Sequence, residues 1–320
     1  MNGEITIKYI DLFCGLGGFR LAIEAAAREL GGTAECVFSS DIDEECRRVY
    51  AANFSETPHG DITKVEAEAV PAHDILLAGF PCQPFSIIGK GLGFEDTRGT
   101  LFFDIARILE AKRPAMFVLE NVRLLVKHDG GRTMGRILET LREMGYQTDF
   151  RVLNALDFGL PQKRDRVFIV GFREPARFQW PAGGIPMKPL AELLERDVPR
   201  KFYASEKIQK TRLKQESRTS EPTIWHENVS GNVRARPYSC ALRAGASYNY
   251  LLVNGERRLT PREMLRLQGF PEWYKIACGD YETRKQAGNS VAVPVVQAVV
   301  RETLKAGVKM LRSEPVRSAA

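Results

Sequence analysis

What most narrows the fold of this chain is a regular alternation, through its first half, between short apolar runs and longer stretches of helical composition. Residues 5–13, with Ile7, Tyr9, Ile10, Leu12 and Phe13, read as a buried strand that runs into the cluster Gly15-Leu16-Gly17-Gly18. Residues 19–30 are helix-forming and stop at Gly31-Gly32. The pattern repeats: strand 35–41 and helix 44–53, strand 74–78 and helix 101–111, strand 116–119 and helix 133–144, then strand 166–171. Strands that alternate with helices predict the α/β class, a doubly wound, mostly parallel Rossmann-like sheet covered on both faces. Such sheets bind ligands beyond the carboxyl ends of their strands, so chemistry is expected in the residues that follow each one.

After Phe172 the alternation fails. Residues 173–257 are rich in Pro, Gly, Ser and Arg, with short β-like pieces such as 248–253, and predict a second, smaller, irregular β-containing domain. The 320 residues suffice for two such units. Charge is uneven along the chain: residues 175–258 hold 15 Lys+Arg against 8 Asp+Glu, or +7, while the whole chain carries +6, leaving −1 elsewhere. A basic, irregular segment of that kind suits a surface that meets polyphosphate. Helical periodicity returns at 259–267, opened by Thr260 as N-cap with Pro261 and Glu263 behind it, and again at 295–311. The six cysteines (14, 36, 46, 82, 240, 278) form no C-x-x-C pair, which argues against a zinc site and a disulfide scaffold. No apolar run approaches the roughly 18 residues of a membrane span. With no secretory pattern in MNGEITIKYI, the expectation is a reduced, cytoplasmic chain without a membrane partner.

Four places carry candidate chemistry. The glycines at 15, 17 and 18, between a strand and a helix, allow a tight turn and close approach of backbone to a ligand. A nicotinamide fingerprint would want a further glycine where Arg20 stands. Asp41, ending the next strand, is placed to accept hydrogen bonds from ribose hydroxyls. Cys82, in Gly79-Phe80-Pro81-Cys82-Gln83-Pro84-Phe85-Ser86, follows a strand and lies between two prolines that hold it toward the ligand crevice; a glycine-rich loop comes next. A free cysteine is ordinarily a small buried hydrophobe, and the other five are read that way. Glu120 of Glu120-Asn121-Val122 ends the neighbouring strand and would face the same crevice. Gln162, Arg164 and Arg166 share a face by strand alternation, which is costly near a core unless something polar lies opposite.

Taken together, these segments resemble the C5-cytosine DNA methyltransferase family, in order and over nearly the whole chain. DLFCGLGG is similar to the family's first S-adenosyl-L-methionine motif, Asp41 to its ribose-binding acid and Gly60-Asp61-Ile62 to its adenine-side motif. GFPCQPFS resembles the nucleophile motif, ENV the acid motif and QKRDR the arginine motif. RLTPREMLRLQGFP and QAGNSVAVP resemble the last two. The resemblance implies the methyltransferase version of the fold, with a catalytic domain at 1–175 plus 285–320 and a target-recognition domain at 176–284, its variable part 176–258. It implies Cys82, Glu120, Arg164 and Arg166 as catalytic. It implies Phe13, Gly15, Leu16, Gly17, Gly18, Asp41, Ile42, Asp61, Ile62, Pro81, Asn289 and Ser290 around S-adenosyl-L-methionine. DNA contacts would come from Gln83, Ser86, Arg98, Gln162, Arg234, Arg236 and Arg243. By the family's chemistry Cys82 adds to cytosine C6, Glu120 serves N3 and the arginines steady charge near O2, without a metal. Double-stranded DNA with its target base flipped out is the implied partner, a cognate restriction endonuclease a second, and the chain would act as a nucleoid-associated monomer. The loop 85–99, with Gly89, Gly91 and Gly93, would close over the base.

The chain departs from the family pattern at Cys14, where alanine is more usual, at Asp41 for glutamate, and at Ile42, where some relatives have an aromatic. Ala241-Leu242 stands where a Thr-Leu pair is common, so no base-reading role passes to Ala241. A tRNA cytosine methyltransferase on the same scaffold is the near alternative; Ser86 and the long basic segment favour DNA. A dinucleotide-dependent oxidoreductase and a non-catalytic DNA-binding module are the alternatives from other classes.

Overall fold

The computed structural model describes residues 5–81 and 101–312, with the side chains of 308, 309, 311 and 312 excepted. The chain runs β1 (Thr6–Leu12), α1 (Gly18–Glu29), β2 (Thr33–Ser40), α2 (Glu44–Phe54), β3 (Ile75–Gly79), α3 (Leu101–Lys112), β4 (Met116–Val122), α4 (Arg132–Glu143) and β5 (Gln147–Asn154). It continues with β6 (Gln162–Lys163), β7 (Asp165–Phe172), α5 (Glu206–Leu213), β8 (Ile224–Glu227), β9 (Val233–Arg236), β10 (Ser239–Cys240) and β11 (Leu251–Val253). Three helices close it: α6 (Pro261–Leu267), α7 (Asp280–Asn289) and α8 (Val293–Arg312).

Six strands form one sheet in the order β2-β1-β3-β4-β7-β5. The first four are parallel, whereas β7 is antiparallel to both β4 and β5. The reversal follows from connection length: no crossover helix separates β5 from β7, so the chain returns beside itself in the opposite sense. β5 escaped the sequence reading because most of its side chains are exposed or half-exposed, leaving no apolar run. β1 has β2 on one side and β3 on the other, so the order reverses there and opens a crevice beyond their carboxyl ends.

Alternation along each strand divides the core. Ile75 and Leu77 join one cluster with α1 and α8, while Leu76 and Ala78 join another with α3 and α4. The first cluster also takes in Ile224, Leu242, Tyr250 and Leu251. The 176–258 segment therefore packs on the same face as α1 and α8. It carries a three-stranded antiparallel sheet, β11-β8-β9, and β10 pairs with β6. Thr260 and Glu263 form the reciprocal cap expected at the start of α6. α7, whose buried residues are the small or polar Thr283, Gln286, Ala287 and Gly288, offered no apolar stripe to read. Among the described residues no helix is long and apolar enough to cross a membrane.

Candidate active site

The crevice is built first by the turn after β1. Phe13, Gly15 and Gly17 all have left-handed backbone, with φ of 57°, 51° and 75°. At Gly17 a Cβ would lie 2.3 Å from the Phe54 ring, so a side chain there would displace α2. The Asp41 carboxylate ties the turn to the end of β2, accepting from the Gly15 amide at 2.8 Å and the Asp43 amide at 2.8 Å. Burial pushes Asp41 up from its ordinary value while these amides pull it down. Arg47 donates to the carbonyls of Asp41 and Ile42 at 2.9 and 3.0 Å, leaving the Ile42 side chain 72% exposed. Asp61 caps a short 3-10 turn by accepting from the Thr63 amide at 3.0 Å; Ile62 behind it is buried. A tie from the other half of the chain comes from Tyr274, whose hydroxyl donates to the Leu16 carbonyl at 2.7 Å.

The second wall is set by β4 and its antiparallel neighbour. Val122 pairs with Arg166 and Glu120 with Phe168, so Glu120 and Arg166 are diagonal neighbours on one face. Their side chains form an ion pair, Arg166 Nε to Glu120 Oε1, at 2.9 Å, with Glu120 buried and Arg166 half-buried. Burial pushes the Glu120 carboxyl up, opposed by Arg166 and then Arg164. Asn121 points elsewhere: its amide donates to the Phe80 carbonyl at 2.9 Å, fixing the backbone two residues ahead of position 82. Pro81 is exposed at the crevice. Cys82, Gln83, Ser86, Arg98 and the loop 85–99 lie outside the described residues.

One sequence expectation is corrected here. Gln162 is fully buried and does not face a DNA-accessible surface. Its amide donates to the Leu267 carbonyl at 2.7 Å and its oxygen accepts from the Leu242 amide at 3.0 Å. Arg164, 2% exposed, spends its guanidinium on the carbonyls of Leu242, Gly288 and Ser290. Burial pushes it down to about 9, with Arg166 adding to the effect. The polar partner that the Gln162/Arg164 face required is thus backbone from distant segments. Gln268, which sequence reasoning missed, completes the knot by donating to the Ala287 carbonyl at 2.6 Å. Its place in the RLQGFP segment was the available signal.

All these walls enclose one cavity of about 610 Å³. Phe13, Gly15, Leu16 and Gly18 line it from the turn, and Asp41, Ile42, Asp61 and Ile62 from the β2 side. Pro81, Glu120, Arg164 and Arg166 line the opposite end, and Asn289 and Ser290 close it. Gly17, by contrast, shapes the turn without lining the cavity. Arg243 lines it as well. Arg234 and Arg236 lie farther out on β9, both exposed, Arg234 beside Glu216 at 3.7 Å. Among the described residues no group of His, Cys, Asp and Glu is arranged to hold a metal ion.

Because the cavity is continuous, a group carried by a nucleoside-type ligand at the glycine turn comes within reach of whatever Glu120 holds, the arrangement of an α/β group-transfer enzyme. The family model described as C-5 cytosine-specific DNA methylase matches residues 7–305. The chain is 57% identical over 294 residues to the Type II methyltransferase M.NgoBI of Neisseria gonorrhoeae, covering 91% of each. It is 52% identical over 295 residues to M.HaeII of Haemophilus aegyptius, again covering 91% of each. Among solved structures, the Entamoeba histolytica methyltransferase EhMeth superposes with a TM-score of 0.74 at 16% identity, over 94% of this chain and 99% of that one. That likeness concerns the fold. The chain belongs to the C-5 cytosine-specific DNA methylase family, and it is an enzyme that methylates cytosine at C5 in DNA.

Proposed function

We propose that the cavity receives S-adenosyl-L-methionine at the β1 turn and, at Glu120, a cytosine rotated out of duplex DNA, with Cys82 as nucleophile. The observation that carries this reading is that the Gly15–Asp41 corner and the Glu120–Arg166 pair line the same cavity. The residues present fit the cofactor. Asp41 and Asp61 offer carboxylates to hydroxyl and amino donors, exposed Ile42 offers apolar surface to a purine ring, and the glycines leave backbone bare where the ligand passes. Phe13, Leu16, Gly18, Ile62, Pro81, Asn289 and Ser290 would complete its surround. Once bound, the cofactor supplies an electrophilic methyl group.

Everything else falls to the protein. Cys82 thiolate forms a bond to C6, and the displaced electron pair is taken up toward N3 and O2. Glu120, whose carboxyl burial pushes up, holds a proton at N3. Arg166 keeps that carboxyl in place and steadies charge growing at the ring. The addition makes C5 nucleophilic; loss of its proton after methylation lets the Cys82 sulfur depart. Arg164 acts by holding the walls together. Since C5 and C6 are inaccessible inside a duplex, the base is flipped at a cost of a few kcal/mol. Residues 176–284, with Arg234, Arg236 and Arg243, grip the DNA to offset it, joined by Gln83, Ser86 and Arg98. The protein works as a monomer in the cytoplasm beside an endonuclease of matching sequence preference; its resemblance to Type II methyltransferases supports the endonuclease.

The test is covalent trapping. Duplex DNA with 5-fluorocytosine at the methylated position, found first by bisulfite sequencing, is expected to give a denaturation-resistant adduct with the protein and S-adenosyl-L-methionine. The adduct should vanish in Cys82→Ala. An adduct of equal yield in that variant overturns the assignment of the nucleophile.

A further inference from the structure

The hairpin β8–β9 sets a surface next to the cavity. In its register His226 opposes Arg234 and Ile224 opposes Arg236, and directly opposed residues of an antiparallel pair share a face. Trp225 and Glu227 occupy the other face, Trp225 buried and Glu227 paired with Arg212 at 2.8 Å. On the first face Ile224 packs in the same cluster as Leu242 and Tyr250. The Tyr250 ring is a hub. His226 meets it edge-on with centroids 6.3 Å apart, the Arg243 guanidinium lies 5.0 Å above it, and its oxygen accepts from the Arg243 amide at 3.0 Å. Leu242 and Arg243 line the cavity, and only the Tyr250 ring stands between Arg243 and His226. The imidazole is half-exposed, and neither ring nitrogen has a hydrogen-bond partner among the described residues.

We propose that His226 is a specificity-determining residue that reads the N7 edge of a purine beside the target cytosine. The proposal rests on the reading that residues 176–284 grip DNA. A neutral imidazole donates one hydrogen bond and accepts one, and a purine presents N7 as an acceptor in the major groove. Burial, then Arg243, Arg212 and Arg236, hold His226 below its ordinary value against the weaker pull of Glu227, which favours the neutral ring at pH 7. The flanking arginines then supply attraction to phosphate while the uncharged ring discriminates.

The experiment compares wild type with His226→Ala and His226→Gln on duplexes varied at each position flanking the target, reading initial rates under kcat/KM conditions. His226→Ala is expected to lose about tenfold discrimination at a single position, with the rank order elsewhere unchanged, and His226→Gln, which keeps an N–H donor, to lose less. In wild type, 7-deazapurine at that position should reproduce the loss, and it should add nothing further in His226→Ala. Uniform weakening on all duplexes, or additive effects of analogue and variant, overturns the proposal. Arg236→Ala separates the two readings. If it weakens DNA binding while the His226 variants leave the preference intact, only the role of His226 falls. If Arg236, Arg243 and His226 variants all bind DNA like wild type, the DNA-gripping role of this face falls as well. S-adenosyl-L-methionine affinity, expected to be unchanged in the His226 and Arg236 variants, confirms that they are folded.

Discussion

At Glu120 two demands meet: removal from water favours the protonated carboxyl, and Arg166 with Arg164 favours the carboxylate. Burial is the larger effect, and a carboxyl raised from its ordinary value holds a proton more readily, as service at a ring nitrogen requires. Glu120→Gln keeps the shape and loses the titration, so methyl transfer should fall roughly 100-fold or more while S-adenosyl-L-methionine affinity stays; labelled-methyl assays and calorimetry read the two. A rate near wild type would refute the role. His73 tests acid stability. Its ring is buried, Nδ1 lies 2.8 Å from the Pro71 carbonyl, Nε2 has no partner, and burial lowers it to about 4. The unfolded chain protonates first, near 6.5, so its contribution is complete above that value and is lost as pH falls toward 4. Between pH 7 and 5 the wild type should lose about 2 kcal/mol more than His73→Gln. Urea unfolding at both pH values measures it, and parallel pH dependence in the two proteins would count against it.

Among the elements, the turn between β1 and α1 was the most legible, because left-handed backbone leaves a mark in the choice of residue. α6 was legible for a similar reason, since its reciprocal cap is written in Thr260 and Glu263. α7 was not, for its burial depends on close approach to another segment. A Cβ on Gly288 would lie 2.3 Å from the Ala244 amide nitrogen and 2.7 Å from the Arg243 carbonyl carbon, all of them backbone. Gly288→Ala must therefore push α7 and the 243–244 loop apart. A loss of about 1–3 kcal/mol is expected, together with weaker binding of both DNA and S-adenosyl-L-methionine, because Gly288, Arg243 and Ala244 all line the cavity. Unchanged stability in chemical denaturation would show that the contact yields.

Across the whole molecule, segments far apart in sequence are fastened at the cavity. Arg164 binds carbonyls of residues 242, 288 and 290, Gln162 donates to the carbonyl of 267 and accepts from the amide of 242, and Tyr274 reaches Leu16. Arg164→Met leaves several buried carbonyls unpaired and should cost about 3 kcal/mol or more, read as a large fall in Tm; a Tm within a degree of wild type would deny the strap. Binding of duplex DNA should weaken steeply with salt, with a smaller slope for Arg234→Ala by about one unit if that side chain meets a phosphate.

The sequence alone determined the strand–helix alternation, the glycine turn, the acids at 41 and 120 and the order of the motifs. These depend on periodicity, on backbone conformation and on residue chemistry at neighbouring positions. Tertiary structure alone decided that β7 runs antiparallel, that Gln162 and Arg164 turn to internal backbone, and that His226 meets the Tyr250 ring beside Arg243. Each depends on which distant backbone lies opposite, and a buried polar side chain takes its role from the partner that satisfies it.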